Sequence, residues 1–113
     1  MSIDYKYDES ALIAELVEYI DSTYQQHYSL NKFQATEFII DAGLGEGFCL
    51  GNVMKYAQRY GKKEGKNRKD LMKIIHYGLM ALYTHDITEA QFKEYEEARA
   101  RKIEDNDGPT NIV

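Results

Sequence analysis

Apolar residues recur along this chain at spacings of three and four, the period of an α-helix, and alternating strand-like runs are few. Leu12, Ile13, Leu16, Val17 and Ile20 form one such stripe and predict a first helix over about 10–24. A polar turn follows at 25–31, then a shorter helix over about 32–42 with Phe33, Phe38 and Ile39 as its core candidates. Three glycines within Gly43–Gly47 break the pattern. A third helix is expected over about 48–60, stopped by Gly61. Asn67 is a suitable cap for a fourth, reaching about Tyr83, and Asp70 at its third position suits the helix dipole. Thr88 and Gln91 read as a capping box for a fifth helix to about Lys102. The expected fold class is therefore all-α. It is a small bundle of about five helices, one domain over 1–103, with a loose tail at 104–113 and a basic helical hairpin at about 48–83 as the functional core.

The third helix carries two stripes. Leu50, Val53, Met54 and Ala57 are expected to pack, and Asn52, Lys55, Tyr56 and Arg59 to lie on the opposite, solvated face. Any amphipathic helix has a polar face, but a large aromatic such as Tyr56 is less common on one. The fourth helix offers Asp70, Lys73 and Tyr77 in a similar row. Facing each other, the two rows would make a basic cleft with one carboxylate.

Charge sharpens this picture. The 113 residues carry a net −5, yet Lys55–Lys73 holds eight basic and two acidic residues, so the remainder carries −11. An acidic chain with one concentrated basic segment suits local capture of a small anion and argues against stable nucleic-acid binding. Lys and Arg neutralise phosphate, Tyr stacks on a base, and Asn reads a base or sugar edge. Asp70 could hold Mg²⁺ together with substrate phosphates, although a carboxylate at that position commonly serves the helix dipole alone.

Other features are weaker. The Gly43–Gly47 segment could bind an anion at a helix start, but no P-loop motif occurs. Glu15, Glu18 and Asp21 form the kind of acidic row that holds Mg²⁺ in all-helical nucleotide pyrophosphohydrolases, but the row lies opposite the core stripe and only Glu94 and Glu97 offer a second acidic helix, so it reads as a solvated face. The three histidines and Cys49 lack metal-ligand spacing. The lone cysteine, the start Met1-Ser2-Ile3-Asp4 and the lack of a long apolar run predict a cytoplasmic protein without membrane attachment.

The string His27-Tyr28, Phe33, Phe48-Cys49-x-Gly51-Asn52-x-x-Lys55-Tyr56-x-x-Arg59-x-Gly61-Lys62-Lys63, Asp70-Leu71-x-Lys73-x-x-x-Tyr77 resembles a small phage domain family of formerly unknown function (DUF3310-like). That family includes a podophage nucleotide kinase without a P-loop. The resemblance implies a nucleotide ligand and a deoxynucleoside monophosphate kinase acting in the infected bacterial host. ATP or another nucleoside triphosphate would be the donor, and Mg²⁺ the cofactor. It assigns Asp70, Lys55 and Arg59 to catalysis, with Asp70 on the metal. Substrate binding falls to His27, Tyr28, Asn52, Tyr56, Lys62, Lys63, Lys73 and Tyr77. Tyr60 and His76 depart from the family pattern. Two other functions stay open: a non-catalytic sponge for a host signalling nucleotide, and a pyrophosphohydrolase. The small core predicts a homo-oligomer.

Overall fold

The computed structural model describes residues 2–26 and 29–105. Four helices make it up: α1 (Glu9–Gln25), α2 (Ser29–Asp41), α3 (Gly45–Arg59) and α4 (Arg68–Asp105), with no strand among the described residues. The all-α expectation holds; the count of five does not. The expected fourth and fifth helices are one. Thr84, which follows the expected break at Tyr83, is buried, and its hydroxyl donates to the Ala81 carbonyl at 2.8 Å. The link Thr84-His85-Asp86-Ile87 contains neither glycine nor proline, so nothing interrupts the backbone ladder. Thr88 is an interior helical residue, not a cap. Glu104 and Asp105, assigned to the tail, also belong to α4; residues 106–113 lie outside the described ones.

The α3–α4 pair is an antiparallel hairpin and the best-packed part of the chain. Its turn is set by Gly61, whose φ of +87° admits no side chain without strain. Asn67 caps α4 as expected, its Oδ1 accepting the Lys69 N–H at 3.0 Å. At the far end Gly45 meets Thr84 so closely that a Cβ there would stand 2.7 Å from the threonine methyl. α3 begins at Gly45, three residues before the expected start at about 48. α1 runs alongside the first half of α4 in the same direction, tied by an Arg68–Glu15 ion pair and by the edge of the Tyr19 ring on His76.

Packing within α3 departs from the sequence expectation, although Val53 is half-buried and Lys55 exposed as expected. Met54 is 71 % exposed and Leu50 is also exposed, whereas Cys49 and Tyr56 are buried and Asn52 and Arg59 half-buried. The helix turns its polar and aromatic stripe towards α4, because the groups there satisfy one another: ring on ring and guanidinium on carboxylate. In α1 only Leu16 of the expected stripe is buried; Ile13 and Val17 are exposed. In α2 the buried side chain is Thr36, while Phe38 faces solvent.

Past Thr84, α4 leaves the other helices. Residues 88–104 are exposed throughout, and the helix spans about 57 Å at 1.5 Å per residue. The radius of gyration is 20.9 Å, against about 13 Å for a compact domain of this size.

Candidate functional site

The contacts between α3 and α4 converge on two tyrosines. Tyr56 and Tyr77 stack with centroids 6.0 Å apart and planes within 13° of parallel, and Phe48 meets Tyr77 edge-on. Three cations surround the Tyr56 ring: Lys73 Nζ at 4.9 Å, Lys55 Nζ at 5.0 Å and Arg59 Cζ at 6.0 Å from its centroid. A ring face attracts cations, which explains how they gather without a carboxylate for each. Among the described residues neither Lys55 nor Lys73 has an acidic partner.

Arg59 is held differently. Its Nε lies 3.5 Å from Asp70 Oδ1, and a terminal nitrogen lies 3.6 Å from Glu64. Asp70 is only 1 % exposed, and its Oδ2 has no hydrogen-bond partner; nor does Arg59 Nε. Asp70 does not close a capping box, since the Asn67 N–H is taken by the Gly65 carbonyl at 3.0 Å. Asp70 therefore presents one paired oxygen and one orphaned oxygen. A buried orphan acceptor is rare and calls for a partner. No group of three metal-ligating side chains occurs among the described residues. The residues present fit Mg²⁺ only where one carboxylate and substrate phosphates share it.

The remaining assigned residues are scattered. Asn52 turns its amide back to the Phe48 carbonyl at 2.9 Å. Lys62 and Lys63 are exposed in the 60–67 turn. His27 and Tyr28 lie outside the described residues. In the acidic row, Glu15 is bound to Arg68, while Glu18 and Asp21 are exposed.

Beside the tyrosine pair lies a cavity of about 240 Å³ between α1, α2 and α4. Tyr19, Phe33, His76 and Tyr77 form aromatic walls, with Lys32, Lys69 and Lys73 among them. Lys73 and Tyr77 belong both to this cavity and to the cluster round Tyr56, so the two share these side chains. Burial, and then the Lys32 charge, pushes the His76 imidazole below its ordinary value and keeps it neutral near pH 7. Burial raises Tyr77 above the usual phenol range, helped by Tyr56 and Tyr19, so its hydroxyl stays a donor. Cys49 is fully buried and its thiol is pushed up by burial, which makes it inert.

The cavity brings in Tyr19, Ser22, Thr23, Gln26, Lys32, Lys69 and His76, none assigned from the sequence. A signal was present: Tyr19, Ser22, Thr23 and Gln26 stand at i, i+3, i+4 and i+7, a polar and aromatic stripe on α1 beside its apolar one.

No curated protein and no solved structure matches the chain. A family model does match, from the first helix to the tyrosine pair, over more than half of the chain's length. With residues 13–78 matched, the chain belongs to the family described as Protein of unknown function (DUF3310).

Proposed function

We propose that this protein binds a nucleotide across the hairpin and the adjoining cavity, and that it is a deoxynucleoside monophosphate kinase of the phage type. The observation that carries the reading is the convergence of Lys55, Arg59 and Lys73 on the Tyr56 ring, with Lys73 also lining the neighbouring aromatic cavity. About 240 Å³ is below the roughly 300–1,000 Å³ of drug-sized pockets. A base would fill it between Tyr19, Phe33 and Tyr77. The phosphates would then run out along Lys73 towards Lys55 and Arg59. Arginine and lysine there would offset charge on a transferring phosphoryl group, which is most of what such catalysis requires. Mg²⁺, bound with a triphosphate donor, would add further charge neutralisation, and Asp70 is the residue to hold it through its orphaned oxygen. The setting that follows from this reading is the cytoplasm of an infected bacterium. Among the described residues, no helix is long and apolar enough to cross a membrane.

A second reading has its own support. Asp70 already serves Arg59, an arrangement that suits a non-catalytic nucleotide sponge equally well. Two measurements on wild type and Asp70→Asn separate them: titration calorimetry with each nucleoside monophosphate, and diphosphate formation from ATP with and without EDTA. The kinase reading expects wild-type turnover that EDTA and Asp70→Asn both abolish, with binding retained. Tight binding without turnover in the wild type would leave the sponge. Absence of binding to any nucleotide would end both.

A further inference from the structure

The long helix α4 has three sides. One meets α3 through Asp70, Tyr77 and Thr84, and a second meets α1 and α2 through Lys69, His76 and Met80. The third is bare, although Leu71, Ile75 and Leu82 stand on it, Leu82 being 61 % exposed. Its positions 71, 75, 78 and 82 alternate by four and three, and the alternation continues through 85, 89, 92, 96, 99 and 103 into the projecting arm. There it carries Phe92 and Ile103, both exposed. Five of these ten positions are apolar, Leu71, Ile75, Leu82, Phe92 and Ile103, all exposed, and four, His85, Glu89, Glu96 and Arg99, are polar, so the stripe is a mixed seam for a facing helix. The family model ends at residue 78, so the arm lies beyond the matched residues.

We propose that a second copy of this chain covers the seam, the two α4 helices lying antiparallel about a two-fold axis near Ile87. In that register Leu82 meets the partner's Phe92, and Leu71 meets the partner's Ile103. One pair of polar positions is complementary and the others avoid like charges. His85 faces the partner's Glu89, Glu96 faces the partner's Gly78, and Arg99 lies along the partner's Ile75. A parallel pair would instead set Glu89 on Glu89, Glu96 on Glu96 and Arg99 on Arg99, like charges at every polar step. Surface area supports a large interface. The chain exposes 9559 Å², against about 6,400 Å² for a compact monomer of 13.1 kDa. Part of that excess is the arm, whose residues 88–104 are exposed throughout, and an ordinary stable interface takes roughly 800 Å² from each partner. An arm without contacts also has little to hold it helical, since isolated helices of this length are marginal in water. The pairing is independent of the nucleotide reading.

Light scattering after size exclusion tests the assembly, and cysteine cross-linking tests its register. The wild type should run as a dimer, or a multiple of it, of the 13.1 kDa chain. Leu82→Asp or Phe92→Asp should dissociate it to monomer. Both side chains are exposed in the single chain, so the α3–α4 body should keep its fold. The double variant Leu82→Cys with Phe92→Cys should form an interchain disulfide under a mild oxidant. Leu82→Cys alone should not, because the antiparallel register holds the two copies of position 82 about ten residues apart, roughly 15 Å. Buried Cys49 adds no background. A monomeric wild type at high micromolar concentration would overturn the proposal. So would cross-linking of Leu82→Cys alone, or failure of the double variant to cross-link.

Discussion

Arg59 and Asp70 face each other across the hairpin, Nε to Oδ1 3.5 Å apart, and each keeps a buried polar atom without a hydrogen-bond partner. The pair fastens the last turn of α3 to the first turn of α4. The sequence pattern put Arg59 opposite the packed side of its helix, where its removal would leave the fold untouched. Half-buried against a buried carboxylate, it is a structural residue as well as a candidate phosphate ligand.

Asp70→Ala should therefore lower stability by about 1–3 kcal/mol, since it leaves the Arg59 guanidinium with only the exposed Glu64. That exceeds the few tenths to about 1 kcal/mol due to the loss of a dipole partner alone. Urea denaturation of Arg59→Ala, Asp70→Ala and the double variant should reveal a coupling of about 0.5–3 kcal/mol. Strict additivity would mean that the pair contributes nothing.

Met54→Gln should change stability by no more than about 0.5 kcal/mol, because the side chain is exposed and lies off the proposed α4 seam. Tyr56→Ala should cost about 3–5 kcal/mol, the range for truncating a buried aromatic. Thermal unfolding of the two variants side by side checks which residues of α3 are packed. The opposite ranking would restore the sequence expectation.

Gly45→Ala should destabilise by about 1–3 kcal/mol even though alanine is the better helix former. The new methyl would meet the Thr84 methyl at 2.7 Å and an Ile40 side-chain carbon at 3.1 Å. Thr84→Ser removes the first obstacle, so the double variant should recover much of the loss. Midpoints from chemical denaturation provide the comparison.

His76 gives stability a pH dependence of definite sign. Its pKa in the folded chain is below the ordinary 6.5. Above 6.5 both states are neutral at this site and no stability is lost. As pH falls through 6.5 towards the lowered folded value, the unfolded chain takes up a proton that the folded chain resists, and stability declines. His76→Gln should flatten the profile between about pH 5 and 7 relative to wild type. A variant profile as steep as the wild type's would remove His76 as the source of the slope.

Several features were legible in the residues because they are local. Helical periodicity decided the fold class, Gly61 the end of α3, and Asn67 the start of α4, since backbone sterics and capping bonds act within a few positions. The Gly-Asn-x-x-Lys-Tyr-x-x-Arg string marked the family before any contact was visible.

What only the tertiary structure decided is which side of each helix is inside. In α3 the apolar residues Leu50 and Met54 lost to Tyr56 and Arg59, because α4 offers those two a ring and a carboxylate. Sequence periodicity ranks side chains by their affinity for water; it cannot see a partner that satisfies a polar group. The same blindness divided α4 at Thr88, where a capping pattern was present but the chain had no reason to stop. It also hid the cavity, whose walls come from three helices far apart in sequence. The bare side of α4 is likewise a tertiary finding: only the fold shows that, among the described residues, Leu71, Ile75, Leu82 and Phe92 are left exposed.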